Sequence, residues 1–213
     1  MRRTAVCALA CALVLFLPAP ARAQVFGIFS GGSLLPLSTH TVGGTAEISR
    51  DLFGVMGQLR SSFYPGVDFG FQGGLAFYDI GSSDLTAVRL GADFRVLVAG
   101  RDSLMAVDVL VGGALGVETG DDLNVLRVGP SVVVSRGFPA GPDPRVRPYL
   151  AMQILFSRED VRGFEESGLV APVHLGSELR LSRGVRILGE VQWRIGNDFG
   201  DDVAITTGIT TDF

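Results

Sequence analysis

From Phe53 onward, apolar and polar residues alternate one by one through successive segments, which is the side-chain period of a β-strand. The segments run from Phe53 to Phe63, Asp68 to Tyr78, Leu85 to Val98, Leu104 to Val117, Leu123 to Ser135, Arg145 to Ser157, Leu169 to Leu181, Val185 to Ile195 and Asp202 to Phe213. Between them stand Tyr64-Pro65-Gly66, Gly81-Ser82-Ser83-Asp84, Gly100-Arg101-Asp102, Gly120-Asp121-Asp122 and Ser182-Arg183-Gly184, all turn-forming groups. No stretch after the first residues has a convincing amphipathic helical period. Val25 to Leu35 alternates poorly but supplies a further strand. The pattern predicts an all-β, antiparallel up-and-down barrel of about ten strands, or about eight if the N-terminal part stays outside the sheet.

In the clearest strands one face is almost entirely apolar. Met105, Val107, Val109, Val111, Gly113, Leu115 and Val117 share a face, as do Val185, Ile187, Gly189, Val191, Trp193 and Ile195. The opposite faces carry Arg89, Asp93 and Arg95; Asp108; Arg127; Arg145 and Arg147; His174, Glu178 and Arg180; and Arg186, Glu190, Gln192 and Arg194. Alternation alone leaves two arrangements open. A soluble barrel of the lipocalin kind turns its apolar face inward around a greasy ligand, whereas a membrane barrel turns it toward lipid and keeps ions in its lumen.

The first residues read as a secretory signal peptide. Arg2 and Arg3 precede an apolar run from Ala5 to Leu17, and Pro18 to Ala23 ends in Ala21-Arg22-Ala23, a small-residue cleavage pattern. Cleavage is expected before Gln24, which divides the chain into a signal at 1–23 and one barrel domain at 24–213. The apolar run is shorter than the roughly 20 residues of a membrane-spanning helix. Both cysteines, Cys7 and Cys11, leave with the signal, so the remainder has no disulfide or thiolate metal site. The chain has no lysine; beyond residue 23, 15 arginines face 22 acids, a net of about −7. Such a balance argues against nucleic acid as a partner.

In the last segment Val203, Ile205, Thr207, Ile209, Thr211 and Phe213 share the apolar face. With Phe213 at the inner side of a membrane and strand directions alternating, Phe53, Phe77, Phe156 and Trp193 fall near the outer ends of their strands. Phe63, Phe69, Phe94 and Phe213 fall near the inner ends, so two girdles of rings emerge. Phe53 to Phe63, at ~3.3 Å per residue and a tilt of ~40°, spans about 25 Å, the height of an outer-membrane apolar band. A terminal aromatic residue on that face, preceded by Gly208 and Thr211, resembles the C-terminal assembly signal of bacterial outer-membrane β-barrels. Together with the signal peptide, the alternation and the girdles, residues 24–213 resemble the small outer-membrane β-barrel proteins of Gram-negative bacteria, the group that includes the membrane domains of outer-membrane proteins A, X and W. The resemblance implies a monomer in the cell outer membrane, delivered by the barrel assembly machinery and in contact with outer-membrane lipid and lipopolysaccharide.

A barrel of this size has room for little more than side chains. Gly70, Gly74, Gly91, Gly112, Gly116 and Gly129 on the polar faces leave space for long arginines. The expected lumen is a network of Arg89, Arg95, Arg127, Arg180, Arg186 and Arg194 against Asp93, Asp108, Glu178 and Glu190, giving a structural or membrane-integrity role. The rival reading is a narrow diffusion channel for small solutes, and a third is the soluble barrel above. No enzyme is expected: His40 falls in an outer loop, and His174 has Glu178 on its own face but Ser177 on the other. Neither a metal nor a cofactor is implied. Asp84, Asp121, Asp122, Glu159, Asp160, Glu165, Glu166, Asp198, Asp201 and Asp202 are assigned to outer loops, where they are solvated or share divalent cations with lipid phosphates. Loops after Leu35 and Ser157 are long enough to recognise a ligand.

Overall fold

Among the residues described by the computed structural model, 31–80, 83–100, 107–139, 144–182, 184–195 and 203–213, the alternating segments become strands and no helix forms. The signal peptide, Gln24 to Ser30, Met105, Arg101, Asp102, Asp198, Asp201 and Asp202 lie outside the described residues. The strands are β1 (His40–Ile48), β2 (Leu52–Tyr64), β3 (Val67–Ile80), β4 (Ser83–Ala99), β5 (Asp108–Gly120), β6 (Leu123–Ser135), β7 (Phe138–Pro139), β8 (Pro144–Gln153), β9 (Leu155–Val161), β10 (Phe164–Ser182), β11 (Val185–Ile195) and β12 (Val203–Asp212).

The barrel closes because β12 returns to pair antiparallel with β1, from Thr41 opposite Asp212 to Ile48 opposite Ile205. β8 and β9 act as one strand between β6 and β10. Their break falls at Ile154, whose N–H donates to the Pro130 carbonyl at 3.1 Å. Pro130 has no N–H to return, so the ladder cannot stay regular there. With β8 and β9 counted together and the two-residue β7 set aside as an appendage of β8, the barrel has 10 strands. Closure leaves no open sheet edge along the wall, the condition for crossing a bilayer with strands.

The tenth strand is not the one expected. β1 supplies it; of the expected segment Val25 to Leu35, only Gly31 to Leu35 is described, and it lies inside the barrel. Gly43 and Gly44 interrupt the alternation of β1 and hide it from a hydropathy reading. His40 therefore stands in a strand at the Phe213 end, not in an outer loop. The segment after Ser157 is no long loop either, since β9 and β10 meet at the tight turn Arg162-Gly163, with φ of 54° and 80°. At the Phe213 end, Pro65-Gly66 joins β2 to β3 with Gly66 at φ 75°, the residue order a type II turn favours.

Every apolar face turns outward. Phe71 (59%), Leu90 (58%) and Ile205 (59%) are exposed, whereas Arg60, Asp68, Arg89 and His174 are 2% exposed or less. The arrangement is that of a transmembrane barrel, and a greasy ligand cavity of the lipocalin kind is not present among the described residues. Phe53 and Phe77 pair across β2 and β3 with rings stacked at 6.2 Å, and Phe156 and Trp193 point outward near the same end. At the other end Phe63, Phe94 and Phe213 are exposed, with Phe69 half-buried opposite Phe94.

Ion pairs are not all that fills the lumen. Leu52, Tyr78, Leu85, Leu123, Val125 and Val161 point inward at the end away from Phe213 and pack into an apolar cap. A second apolar cluster, Leu110, Val133, Tyr149, Ala151 and Leu188, lies deeper toward the Phe213 end, with Leu34 packed against it.

Candidate functional site

Alternation fixes which side chains enter the lumen, and cross-strand register decides which of them meet. Arg60 on β2 stands opposite Gly70 on β3, which stands opposite Asp93 on β4. With no side chain at Gly70, the Arg60 guanidinium passes over β3 to donate to both Asp68 and Asp93. Asp68 also accepts from Arg95, at 3.0 Å from Nε and 2.8 Å from Nη2, a two-point pairing that suits a planar guanidinium. Gln72 adds a weaker bond to Asp93 at 3.3 Å.

Nearer the apolar cap, Arg89 holds three partners. It donates to Glu47 at 2.5 Å, to Glu118 at 3.2 Å and to the Tyr78 hydroxyl at 2.7 Å, while that hydroxyl donates on to Glu118. Arg127 donates to Glu159 and to Ser157 Oγ at 3.2 Å, and Ser157 donates to Glu159 at 2.8 Å. Glu190 accepts from Tyr149 at 2.7 Å and Gln192 at 2.9 Å, and its other contact is His174 Nδ1 at 2.9 Å.

At the Phe213 end, Arg186 donates to Asp212 and lies 3.7 Å from Glu178, and Arg147 donates to Asp108 at 2.5 Å. Arg194 is buried and Arg180 half-buried on the lumen faces of β11 and β10, neither of them without an interaction partner.

All ten residues expected in the network thus line the lumen, but the pairing differs from that reading. Within the expected set, Arg186 and Glu178 meet at 3.7 Å. Arg89, Asp93, Arg95, Asp108, Arg127 and Glu190 meet residues outside that set, among them Glu47, Arg60, Asp68, Glu118, Arg147, Glu159 and the two tyrosines, and Arg186 also meets Asp212. Glu47 belongs to the unexpected β1. Glu118 and Glu159 sit just beyond the expected ends of their strands, and Glu159 is buried in the lumen instead of an outer loop. Arg60 could have been placed by alternation, since its neighbours Leu59 and Ser61 share the face of Phe53 and Phe63.

The inward glycines also differ from expectation. Gly70 makes room for a guanidinium, but a Cβ at Gly74, Gly112 or Gly129 would press on the carbonyl of Val55, Phe94 or Ile154. These three let neighbouring strands approach and curve. Gly208 does the same at the seam, where a Cβ would meet the Gly44 carbonyl at 2.9 Å; Thr211 faces outward beside Val42 and Val185.

The histidines form no catalytic pair with a lumen serine. His174 joins Glu190, not Glu178, and Glu178 accepts instead from Ser33. His40 faces outward, with Nδ1 3.0 Å from Ser61 Oγ and its ring 5.8 Å from both Phe63 and Phe213.

The end of the lumen nearer Phe213 holds a piece of backbone. Arg95 donates to the carbonyls of Gly31 (2.8 Å) and Ser33 (3.0 Å), Ser135 to that of Gly32 (2.6 Å), and the Leu35 N–H donates to Asp68 (3.1 Å). No pattern of alternation reports such a segment, because its contacts run through main-chain atoms.

The chain matches no protein-family model, and no curated protein matches it in sequence. Solved structures with a similar course include an outer-membrane channel from Pseudomonas putida F1, 8% identical over 89% of this chain and 100% of that one, with a TM-score of 0.49. LpxR from Salmonella typhimurium is 10% identical over 82% and 99% of the two chains, with a TM-score of 0.48. The N-terminal β-barrel domain of OprF from Pseudomonas aeruginosa is 9% identical over 83% and 98%, with a TM-score of 0.35.

Proposed function

We propose that this protein is an integral barrel of the Gram-negative outer membrane whose role is structural, sustaining membrane integrity with a lumen that does not conduct. One observation carries the reading: among the described residues, an apolar cluster, ion pairs and a backbone segment occupy successive levels of the lumen. Inward Leu52, Leu85, Leu123 and Val161 fill one mouth, paired ions fill the middle, and Gly31 to Leu35 occupies the other end. A permanent diffusion path needs a continuous polar lining, and the apolar cap interrupts it.

The remaining features are consistent with that place. The arginines and apolar run of the first residues suit export through a cleaved signal peptide, and Phe213 with its outward ring suits recognition by the assembly machinery. The outward girdles suit lipid and lipopolysaccharide on either side of the apolar band, with the barrel acting as a monomer. Phe213 then marks the periplasmic end, and the cap faces the cell exterior.

The test pairs two measurements on the purified protein. Unboiled and boiled samples should migrate differently on a detergent gel, as a closed membrane barrel does, and planar bilayers should show no stable current steps. Reproducible steps from the unmodified protein would replace this reading with the narrow channel.

A further inference from the structure

We infer that the periplasmic half of the lumen is a binding site for an extended peptide backbone, filled here by the chain's own residues 31–35 as an exchangeable occupant. Its orientation toward the periplasm rests on the function proposed above; the site itself rests on the geometry of the barrel. The groups that grip the segment read main-chain atoms. The Arg95 fork takes two carbonyls, Ser135 takes the carbonyl between them, and Asp68 takes the Leu35 N–H. Ser33 is also held through its side chain, its hydroxyl donating to Glu178 at 2.7 Å.

The site selects small residues and then apolar ones. A Cβ on Gly32 would stand 2.7 Å from both Ser135 Cβ and Tyr149 Cβ, so nothing larger than glycine passes. Gly31 adopts φ +67°, and a Cβ there would stand 2.5 Å from Glu178 Oε2. The position of Leu35 is enclosed, its side chain 3% exposed. Leu34 packs against the cluster of Leu110, Val133 and Leu188, so a ligand of this site is a peptide that reads Gly-Gly-Ser and then two apolar residues.

Two features mark the segment as an occupant and not as part of the wall. It pairs with no strand, and the ions that hold it are also paired with one another. Asp68 keeps Arg60 and Arg95, and Arg186 keeps Asp212 whether or not Ser33 is present. Withdrawal strands no bare charge, which is the costly event in a buried ion network. The carbonyls and N–H released can be rehydrated. The connection out of the mouth is a short fold at Pro36 to Thr39, where the Thr39 N–H reaches the Pro36 carbonyl and Ser38 takes φ 59°.

No cysteine follows Cys11, so a single introduced thiol in the chain from Gln24 reports on one place. Leu35→Cys and, separately, Ser33→Cys are folded in detergent, confirmed by their heat-dependent mobility, and treated with a water-soluble maleimide. Leu37→Cys, at an exposed position, is the reference. Both buried thiols should react at least about tenfold more slowly than the reference, and excess synthetic peptide Gly-Gly-Ser-Leu-Leu-Pro-Leu should remove most of that protection by competing for the site. A scrambled peptide should not. In Leu35→Cys, the added change Gly32→Leu should expose the thiol without any peptide. Thiols as reactive as the reference would show that the segment is not seated; protection unmoved by peptide or by Gly32→Leu would show that it is a fixed part of the wall. Neither result depends on current or membrane orientation, so failure here is separable from failure of the proposed structural role.

Discussion

The main-chain N–H of Phe213 donates to the carbonyl of His40 at 3.0 Å, and the two rings lie 5.8 Å apart on the outward face. The residue that follows β12 is thus joined to the first residue of β1, at the seam that closes the barrel. Phe213 contributes to the closed barrel itself, through its main chain and its ring.

The seam contact predicts a measurable coupling. Phe213→Leu and His40→Leu should each lower the denaturant midpoint of the refolded barrel. The double variant should fall short of their sum by about 0.5–1.5 kcal/mol, the worth of an aromatic pair beyond its area. Strict additivity would mean that the rings are merely neighbours. If Phe213 serves in assembly as proposed, Phe213→Leu should also lower the yield of folded protein in cells more than His40→Leu does.

How far the sequence carried this structure depends on the kind of information involved. Period-two alternation located nine of the barrel strands from Phe53 on and put the charged faces together, because burial on one face and lipid on the other leave a trace in every second residue. It failed where that trace is absent. The glycine pair Gly43 and Gly44 blanked β1, which hid Glu47, and apolar residues at inward positions such as Leu85 and Leu123 passed for ordinary alternation. Partners across strands were not legible, since register depends on turn geometry: Arg60 finds Asp93 only because Gly70 stands between them.

Arg89 is the lumen residue with the most to lose. Both Glu47 and Glu118 are at most 1% exposed, and Arg89 lies between them. Arg89→Met should cost about 3–5 kcal/mol, because it leaves two carboxylates buried without their cation. Adding Glu47→Gln and Glu118→Gln to the same chain should recover most of that loss. Equilibrium unfolding followed by Trp193 fluorescence measures both, and a triple variant no better than Arg89→Met would show that the arginine acts through packing.

The glycines separate into two sets with opposite expectations. Gly112→Ala drives a methyl group into the Phe94 carbonyl across the ladder, and should depress the folded fraction by forcing strands apart. Gly189→Ala places the same methyl group on the outward face with nothing within 4 Å, and should stay within about 0.5 kcal/mol of the parent. The unboiled band on a detergent gel, quantified after refolding at several urea concentrations, distinguishes them; equal tolerance would remove close strand approach as the reason for Gly112.

The two closures of the lumen act in series, and this gives the sharpest expectation for conductance. Replacing Leu52, Leu85 and Leu123 together with serine removes the bulk of the exterior cap. The Gly31–Leu35 segment still holds Arg95, Asp68 and Glu178, so this variant should remain silent in a planar bilayer. Gly32→Leu alone clears the half nearer Phe213 but leaves the cap, and it should be silent too. Only the combination should give resolved current steps, small ones, because Arg60, Arg89 and Arg127 still cross the lumen between the two gates. Steps from either set alone would mean that one closure suffices and the other is incidental packing. Silence of the combined variant, with its heat-dependent mobility intact, would place the true seal in the ion network between them.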